Sequence, residues 1–216
     1  MKKTLYSLML SDDVVRAVDD LAHRMGTNRS ALVNQILAEY TDLVTPERRV
    51  QDIFRQISQI LDADRALVPF ITPNSMTMSV KSSLQYRYRP TVKYSVELYR
   101  DREGALGELA VVFRTQSQEL LEAMGQFFRL WKEVEDALVA PYHTRPVEYA
   151  LYPGRFTRTL DLPARRDYTS ADVAGAISEY VRLFDRLIKG YLAGELSARA
   201  LEGEYLTWLR AGNTIL

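Results

Sequence analysis

The sequence predicts an α+β fold in two parts: a small strand–helix–helix unit over residues 1–44, and an α+β domain with an antiparallel sheet and packed helices over residues 76–216. Apolar residues alternate near the start of the chain and again from residue 76, which is typical of half-buried strands. Elsewhere they recur at helical spacing, between residues that suit helix caps. Residues 45–75 are predicted to form a connecting helix and loop.

The N-terminal unit is predicted to contain one strand and two helices. Residues 3–10 alternate between apolar and polar side chains. Ser11 is a suitable N-cap for the first helix, which Gly26 ends, and Asn28 is a suitable N-cap for the second. The predicted apolar positions are Tyr6, Leu8 and Leu10 in the strand, Val14, Val18, Leu21 and Met25 in the first helix, and Leu32, Val33, Ile36, Leu37 and Tyr40 in the second.

Such a unit is expected to be incomplete as a single copy. A lone strand of eight residues has no ladder partner within the unit, and two short helices bury too little surface to be stable alone. A dimer in which two strands pair antiparallel and four helices interlock would satisfy both requirements.

The order and lengths of these elements over residues 3–42 resemble the ribbon-helix-helix fold, the superfamily of the Met and Arc repressors. The resemblance implies an intertwined homodimer whose two-stranded ribbon enters the major groove of double-stranded DNA. It also implies that backbone N–H groups at the start of the second helix hold a phosphate. A sequence-specific transcriptional regulator, most simply a repressor, is therefore expected in the prokaryotic cytoplasm and associated with the nucleoid.

The resemblance assigns two sets of residues to DNA. The base-contacting face of the ribbon comprises Lys3, Leu5, Ser7 and Met9, and the phosphate contacts comprise Lys2, Thr27, Asn28, Arg29 and Ser30. Lys3 and Ser7 can donate hydrogen bonds to base edges. Leu5 and Met9 depart from the usual polar pattern, and they could contact thymine methyl groups or pack against another protein surface. Acidic residues such as Asp19 and Asp20 are expected to face away from the DNA.

The connecting segment begins with Thr45 and Pro46, a cap followed by a proline at the first helical position. This helix is either a coiled connector between dimer partners or the first helix of the C-terminal domain, and its shortness favours the second interpretation. Residues 66–75 contain two prolines and are predicted to form a loop.

The C-terminal domain is predicted to alternate strands and helices. Residues 76–98 alternate over too long a stretch for one strand, so two strands are expected, broken near residues 81–83 or at Pro90. The remaining predicted elements are a strand over 108–114, a helix over 118–140, a strand or bent ribbon over 147–162, and helices over 170–193 and 197–211. This domain would supply oligomerisation, binding of a small-molecule effector, or contact with a protein partner.

Basic and aromatic residues alternate over residues 86–94, within the stretch predicted to form two strands. Arg87, Arg89 and Lys93 occupy the parity opposite the tyrosines, which share the apolar parity. A half-buried strand with a solvated basic face explains this pattern better than base stacking does. The three cations are therefore expected to form an accessory basic face, which would extend the contact with DNA.

Composition restricts the chemistry that we expect. The formal net charge is zero and there is no cysteine, so disulfides and thiolate metal sites are excluded, and two histidines are too few for a histidine-rich metal site. No arrangement of residues indicates catalysis, a cofactor or a metal, and no apolar run is long enough for a membrane span. The protein is expected not to be an enzyme.

Two alternatives to a transcriptional regulator remain. The same module is used by accessory DNA-binding factors in plasmid partition and conjugative relaxation, which would bind an origin or centromere-like repeat. A protein of a different class would use the module only to dimerise and would not bind DNA, and the apolar Leu5 and Met9 favour it. The neutral net charge is also compatible with this second alternative.

Overall fold

The structure, a computed structural model, describes residues 5–64, 66–72, 75–84, 90–100, 104–143, 145–163 and 167–216. The predicted combination of helices and an antiparallel sheet is confirmed. The helices are α1 (Asp12–Arg24), α2 (Arg29–Tyr40), α3 (Pro46–Asp62), α4 (Gln118–Leu138), α5 (Ser170–Leu192) and α6 (Ala198–Arg210). The strands are β1 (Leu67–Ile71), β2 (Thr77–Ser83), β3 (Thr91–Leu98), β4 (Gly107–Phe113), β5 (Tyr149–Tyr152) and β6 (Arg155–Leu160).

The predicted N-terminal strand is not formed in the single chain. Residues 5–10 have no regular secondary structure and are exposed, and the first helix begins only at Asp12. Residues 1–4 lie outside the described part of the chain. An isolated strand has no ladder partner to satisfy its backbone groups, so its absence from a single copy has a direct physical reason.

Helix α3 belongs to the core of the C-terminal domain, which corrects its assignment to a connecting segment. Its N-cap is formed as predicted, because the Thr45 hydroxyl accepts a hydrogen bond from the backbone N–H of Arg48 at 3.1 Å. Ile53, Phe54 and Leu61 are fully buried on the side that faces α5. The helix is therefore a domain element, the second of the two interpretations left open by the sequence.

The loop predicted over residues 66–75 is wrong in its first half, which forms strand β1. This strand pairs antiparallel with β2 and lies at the edge of the sheet. Pro69 lacks a backbone N–H, but an edge strand tolerates proline because one of its sides has no ladder partner. The proline thus indicated an edge strand and not a loop.

The strands form one antiparallel sheet in the order β1-β2-β3-β4-β6-β5. The predicted break between the first two long strands is confirmed, since β2 ends at Ser83 and β3 begins at Thr91. The bent ribbon over 147–162 is a hairpin of β5 and β6, turning at Pro153 and Gly154, where Gly154 has a φ of 70°.

Helices α3, α4 and α5 pack on one face of the sheet, α6 packs against α4 and α5, and all four contribute to the core. Helix α5 lies at its centre, where the Phe184 ring is 6.1 Å from Tyr94, 5.4 Å from Phe127 and 4.7 Å from Trp131. Residues of β3 that face the helices are buried, and those between them are exposed or half-exposed. The sheet therefore has one covered face and one open face.

A charged pair lies inside this core. The Arg158 guanidinium on β6 donates to the Glu135 carboxylate on α4 at 3.1 Å, and neither side chain is exposed. The Tyr205 hydroxyl donates to the other Glu135 oxygen at 2.8 Å, and Arg158 lies 4.7 Å above the Tyr180 ring. Burial and the Glu135 charge raise the pKa of the Tyr205 hydroxyl, so it remains a neutral donor.

We expect loss of one partner of this pair to be strongly destabilising. Glu135→Leu leaves the Arg158 charge buried without its carboxylate, and it should lower the free energy of unfolding by about 3–5 kcal/mol in urea titrations. The double variant Glu135→Leu with Arg158→Met removes both charges and should be more stable than the single variant. Equal losses in the two variants would show that the ion pair is not the cause.

Candidate nucleic-acid interface

Helices α1 and α2 form a corner, joined by the glycine turn that the sequence predicted. Gly26 makes the turn with a φ of 62°, and the Thr27 N–H donates to the Ala22 carbonyl at 2.9 Å. The Asn28 side chain then accepts a hydrogen bond from the Ala31 N–H at 2.9 Å, which caps α2. Leu32 is buried between the helices. The turn and cap place the start of α2 against the middle of α1.

This corner brings Arg29 onto Asp19, an acid that is expected to face away from the DNA. The Arg29 Nε donates to Asp19 Oδ1 at 2.6 Å, and Arg29 Nη2 donates to Asp19 Oδ2, so the pair is bidentate. The hydrogen bond from Arg29 lowers the pKa of Asp19. Both side chains remain about half exposed. The cation predicted to hold a phosphate is therefore partnered by a carboxylate in the free chain.

The residues predicted to read bases lie in the exposed segment before α1. Leu5 and Met9 have exposed fractions of 97% and 102%, and Ser7 is also exposed. Lys2 and Lys3 lie outside the described residues. No contact within the single chain holds the described part of this segment in a ribbon, so the predicted base-contacting face is not assembled in one copy.

Much of the apolar surface of the N-terminal unit is uncovered. Ala22, Leu32 and Ala38 are its buried apolar residues within the described range. The exposed large ones are Leu5, Tyr6, Leu8, Met9, Leu10, Val14, Ile36, Leu37, Tyr40, Leu43 and Val44. Exposed large apolar residues in this number are typical of an interaction surface.

The accessory basic face is described only in part, because Arg87 and Arg89 lie outside the described residues. Lys93 is exposed on the open face of the sheet, directly opposite Lys81 of β2. Tyr94 beside it is fully buried, as the alternation predicted. The residues predicted to contact phosphate at the start of α2 belong to the N-terminal unit and not to this sheet.

A cleft with a volume of about 880 Å³ lies between α5, α6 and the edge of the sheet where β1 begins and β2 ends. At its base the Asp185 carboxylate accepts from the Tyr94 hydroxyl at 2.9 Å and from Lys189 at 2.6 Å. Lys189 also donates to the Ser82 hydroxyl at 2.7 Å. Sequence analysis missed this group because its members are far apart in the chain. The i, i+4 spacing of Asp185 and Lys189 was the signal available.

The remaining candidates for chemistry are isolated. The His143 imidazole is half buried, and burial is the main cause that lowers its pKa. Among the described residues, no group of three or more His, Cys, Asp or Glu side chains is placed to hold a metal ion. Within the same ranges, none of the helices has the length and apolarity needed to span a membrane.

No family model matches the chain, and no curated protein or solved structure matches it either. Any proposal for its function therefore rests on its own residues and their geometry.

The pairing of Asp19 with Arg29 predicts a titration. The pKa of the Asp19 carboxylate, followed by NMR, should lie below the ordinary value for aspartate in the native chain and return towards it in Arg29→Ala. Arg24→Ala, which removes an exposed cation from the end of α1, should leave it where it was. A pKa that is insensitive to Arg29 would contradict the bidentate contact.

Proposed function

We propose that this chain is a dimeric, sequence-specific DNA-binding protein that regulates transcription through a ribbon-helix-helix unit at its N-terminus. The observation that carries the proposal is the state of residues 5–44 in a single copy. An exposed segment without regular secondary structure precedes two helices, and large apolar residues are exposed on all three. Pairing two such copies would give the segment a ladder partner and would cover the helices with each other.

The proposed mode of binding follows from that pairing. Two antiparallel copies of residues 3–10 would form a ribbon narrow enough for the major groove. Leu8 and Leu10 would face the helices, while Ser7 and its neighbours of the same parity would face the bases. The apolar Leu5 and Met9 would lie against thymine methyl groups in this arrangement.

Phosphate contact by Arg29 requires an exchange of partners. In the free chain its guanidinium is held by Asp19, so a phosphate would replace or share that carboxylate. Exposed ion pairs contribute little to stability, and the exchange therefore costs little. Asn28 caps α2, and the free N–H groups of the first turn of this helix would donate to the same phosphate as Arg29.

The C-terminal domain would contribute a second binding function to such a regulator. Three cations of the cleft, Arg182, Arg186 and Lys189, are each paired with acids, and further acids lie on its walls. A small effector bound there would be neutral or cationic, because an anion would meet the excess of carboxylates.

A second candidate function is favoured by one observation. Leu5 and Met9 are almost fully exposed and Arg29 is neutralised by Asp19, so the unit suits contact with protein as well as contact with DNA. In that case the unit would only join copies of the chain or bind another protein.

The experiment that decides between these functions is fluorescence anisotropy of the full chain on duplex DNA. The duplex is taken from upstream of its own gene, with a scrambled duplex as competitor and with salt varied. Nanomolar binding that survives the competitor and weakens steeply with salt would support a regulator. Preference for an origin or centromere-like repeat would instead favour a partition or relaxosome factor. The absence of binding at low salt would leave the dimerisation-only function.

Variants of the Asp19–Arg29 pair provide a sharper test of the phosphate contact. Arg29→Ala should weaken binding to every duplex and lower the salt slope by about one, whereas Asp19→Asn should strengthen binding because it frees the guanidinium. Asp20→Asn is the matched control, since it removes an equal charge from the next residue, which is exposed. If Asp20→Asn strengthens binding as much as Asp19→Asn, the effect is one of net charge and Arg29 has no special role.

A further inference from the structure

The open face of the sheet carries an ordered arrangement of charge. The strand register places small side chains in a row across its middle: Ser79 lies opposite Ser95, Ser95 opposite Ala110, and Ala110 opposite Thr157. We call this line the middle row. Charged residues lie on both sides of it, and each side carries one sign.

On one side of the middle row lies a cationic row. Lys81 of β2 is directly opposite Lys93 of β3. Lys93 is opposite Val112 of β4, and Val112 is opposite Arg155 of β6, so the three cations lie in one line across the strands. All three cations are exposed. Two like charges directly opposite each other on neighbouring strands repel, and Lys81 also has its Nζ 4.5 Å from the centroid of the Phe70 ring.

On the other side lies an acidic row. Glu97 of β3 is directly opposite Glu108 of β4, and Glu148 continues the row beside Thr159. Burial, followed by the charges of Glu108 and Glu97, raises the pKa of the neighbouring Tyr99 hydroxyl, which is the effect expected of negative charge collected in one place. The two carboxylates repel each other, and one cation of the same copy lies near them, since Arg155 Nη2 is 3.9 Å from Glu108 Oε1.

Apolar side chains are exposed at both edges of the same face. Phe70 continues the middle row onto β1, opposite Ser79, with Val68 beside it, and Tyr152 lies on β5 opposite Arg155. Their exposed fractions are 49%, 48% and 60%. Exposed aromatic residues at the ends of a charged face are typical of a protein interface and would be unfavourable in permanent contact with water.

These features are self-complementary under one symmetry operation. A twofold axis that runs along the middle row, between two sheets packed face to face, places the cationic row of one copy over the acidic row of the other. It therefore places Lys93 opposite Glu97 and Phe70 opposite Phe70 of the second copy. An axis parallel to the strands would instead place like charges over each other. DNA does not fit this face, because the acidic row would repel its phosphates.

We propose that the open face is an interface that binds the same face of a second copy of this chain, with the twofold axis along the middle row. Six strands about 4.8 Å apart give a face about 24 Å wide, so the contact is at the small end of specific interfaces. It is separate from the N-terminal unit and does not depend on DNA binding.

The first test is a cross-link, and the absence of cysteine from the chain makes it free of background. Ser95→Cys places a thiol on the axis, so two copies should be joined by a short bis-maleimide across facing sheets about 10 Å apart. Thr91→Cys is the matched control on the same strand and face. It lies four residues from the axis, so two such thiols are separated by about 27 Å and should not be joined.

The second test exchanges charges in the full-length Ser95→Cys chain. One variant reverses the cationic row with Lys81→Glu, Lys93→Glu and Arg155→Glu, and the other reverses the acidic row with Glu97→Lys, Glu108→Lys and Glu148→Lys. Each variant alone should lose the cross-link, because its two rows now carry one sign. Co-expression of the two should restore it between unlike chains, which mass spectrometry identifies. Restoration also shows that both variants fold.

A control variant carries the same change in net charge elsewhere: Arg55→Glu, Arg129→Glu and Arg199→Glu, all at exposed positions on helices. It should retain the cross-link. The proposal is overturned if Ser95→Cys does not cross-link, or if reversed chains cross-link alone as well as they do together. A loss of DNA binding in the cation-reversed chain, with an unchanged cross-link, would assign the cationic row to DNA. Because no DNA enters the cross-linking tests, their outcome is independent of the proposed function.

Discussion

The packing of α5 across one face of the sheet is the interaction on which the rest of the structure depends. Phe184 lies among the aromatic rings of β3, β6 and α4, and the buried pair of Arg158 and Glu135 joins the sheet to the helical layer beside it. Successive side chains of a strand point to opposite faces of the sheet. Since the apolar residues are used on the side that faces the helices, the residues between them lie on the other side. The open face and its charges are a consequence of this single-sided core.

The zero net charge of the chain conceals local organisation. Asp19 neutralises Arg29 at the corner of the N-terminal unit, and on the open face cations and acids are separated into rows. The first arrangement satisfies a charge within one copy. In the second, like charges face each other on neighbouring strands, and one ion pair, between Arg155 and Glu108 at 3.9 Å, joins the two rows. Exposed pairs of the first kind are weak and can exchange partners. Charge that is sorted by row instead specifies both a partner and its orientation.

Sequence reasoning succeeded where the signal is local. The caps at Asn28 and Thr45 and the turn at Gly26 are formed by residues within a few positions of each other, so the helix starts could be predicted closely. It failed at β1, where Pro69 was taken to indicate a loop, because the edge position that tolerates it depends on β2. The Asp19–Arg29 pair depends on the crossing of two helices, and the charge rows depend on strand register across residues 77–160. Neither can be obtained from the spacing of residues in the sequence.

The two twofold contacts proposed for this chain would have a consequence for assembly. If the N-terminal unit and the open face pair with the same second copy, the result is a closed dimer. If they pair with different copies, each dimer can continue to the next, and the product is either a closed tetramer or an open array, depending on how the axes meet. The contact between open faces is small, so it would be most effective between dimers already held close together. DNA carrying neighbouring half-sites would provide that proximity, and a weak contact between sheets would then make binding to adjacent sites cooperative.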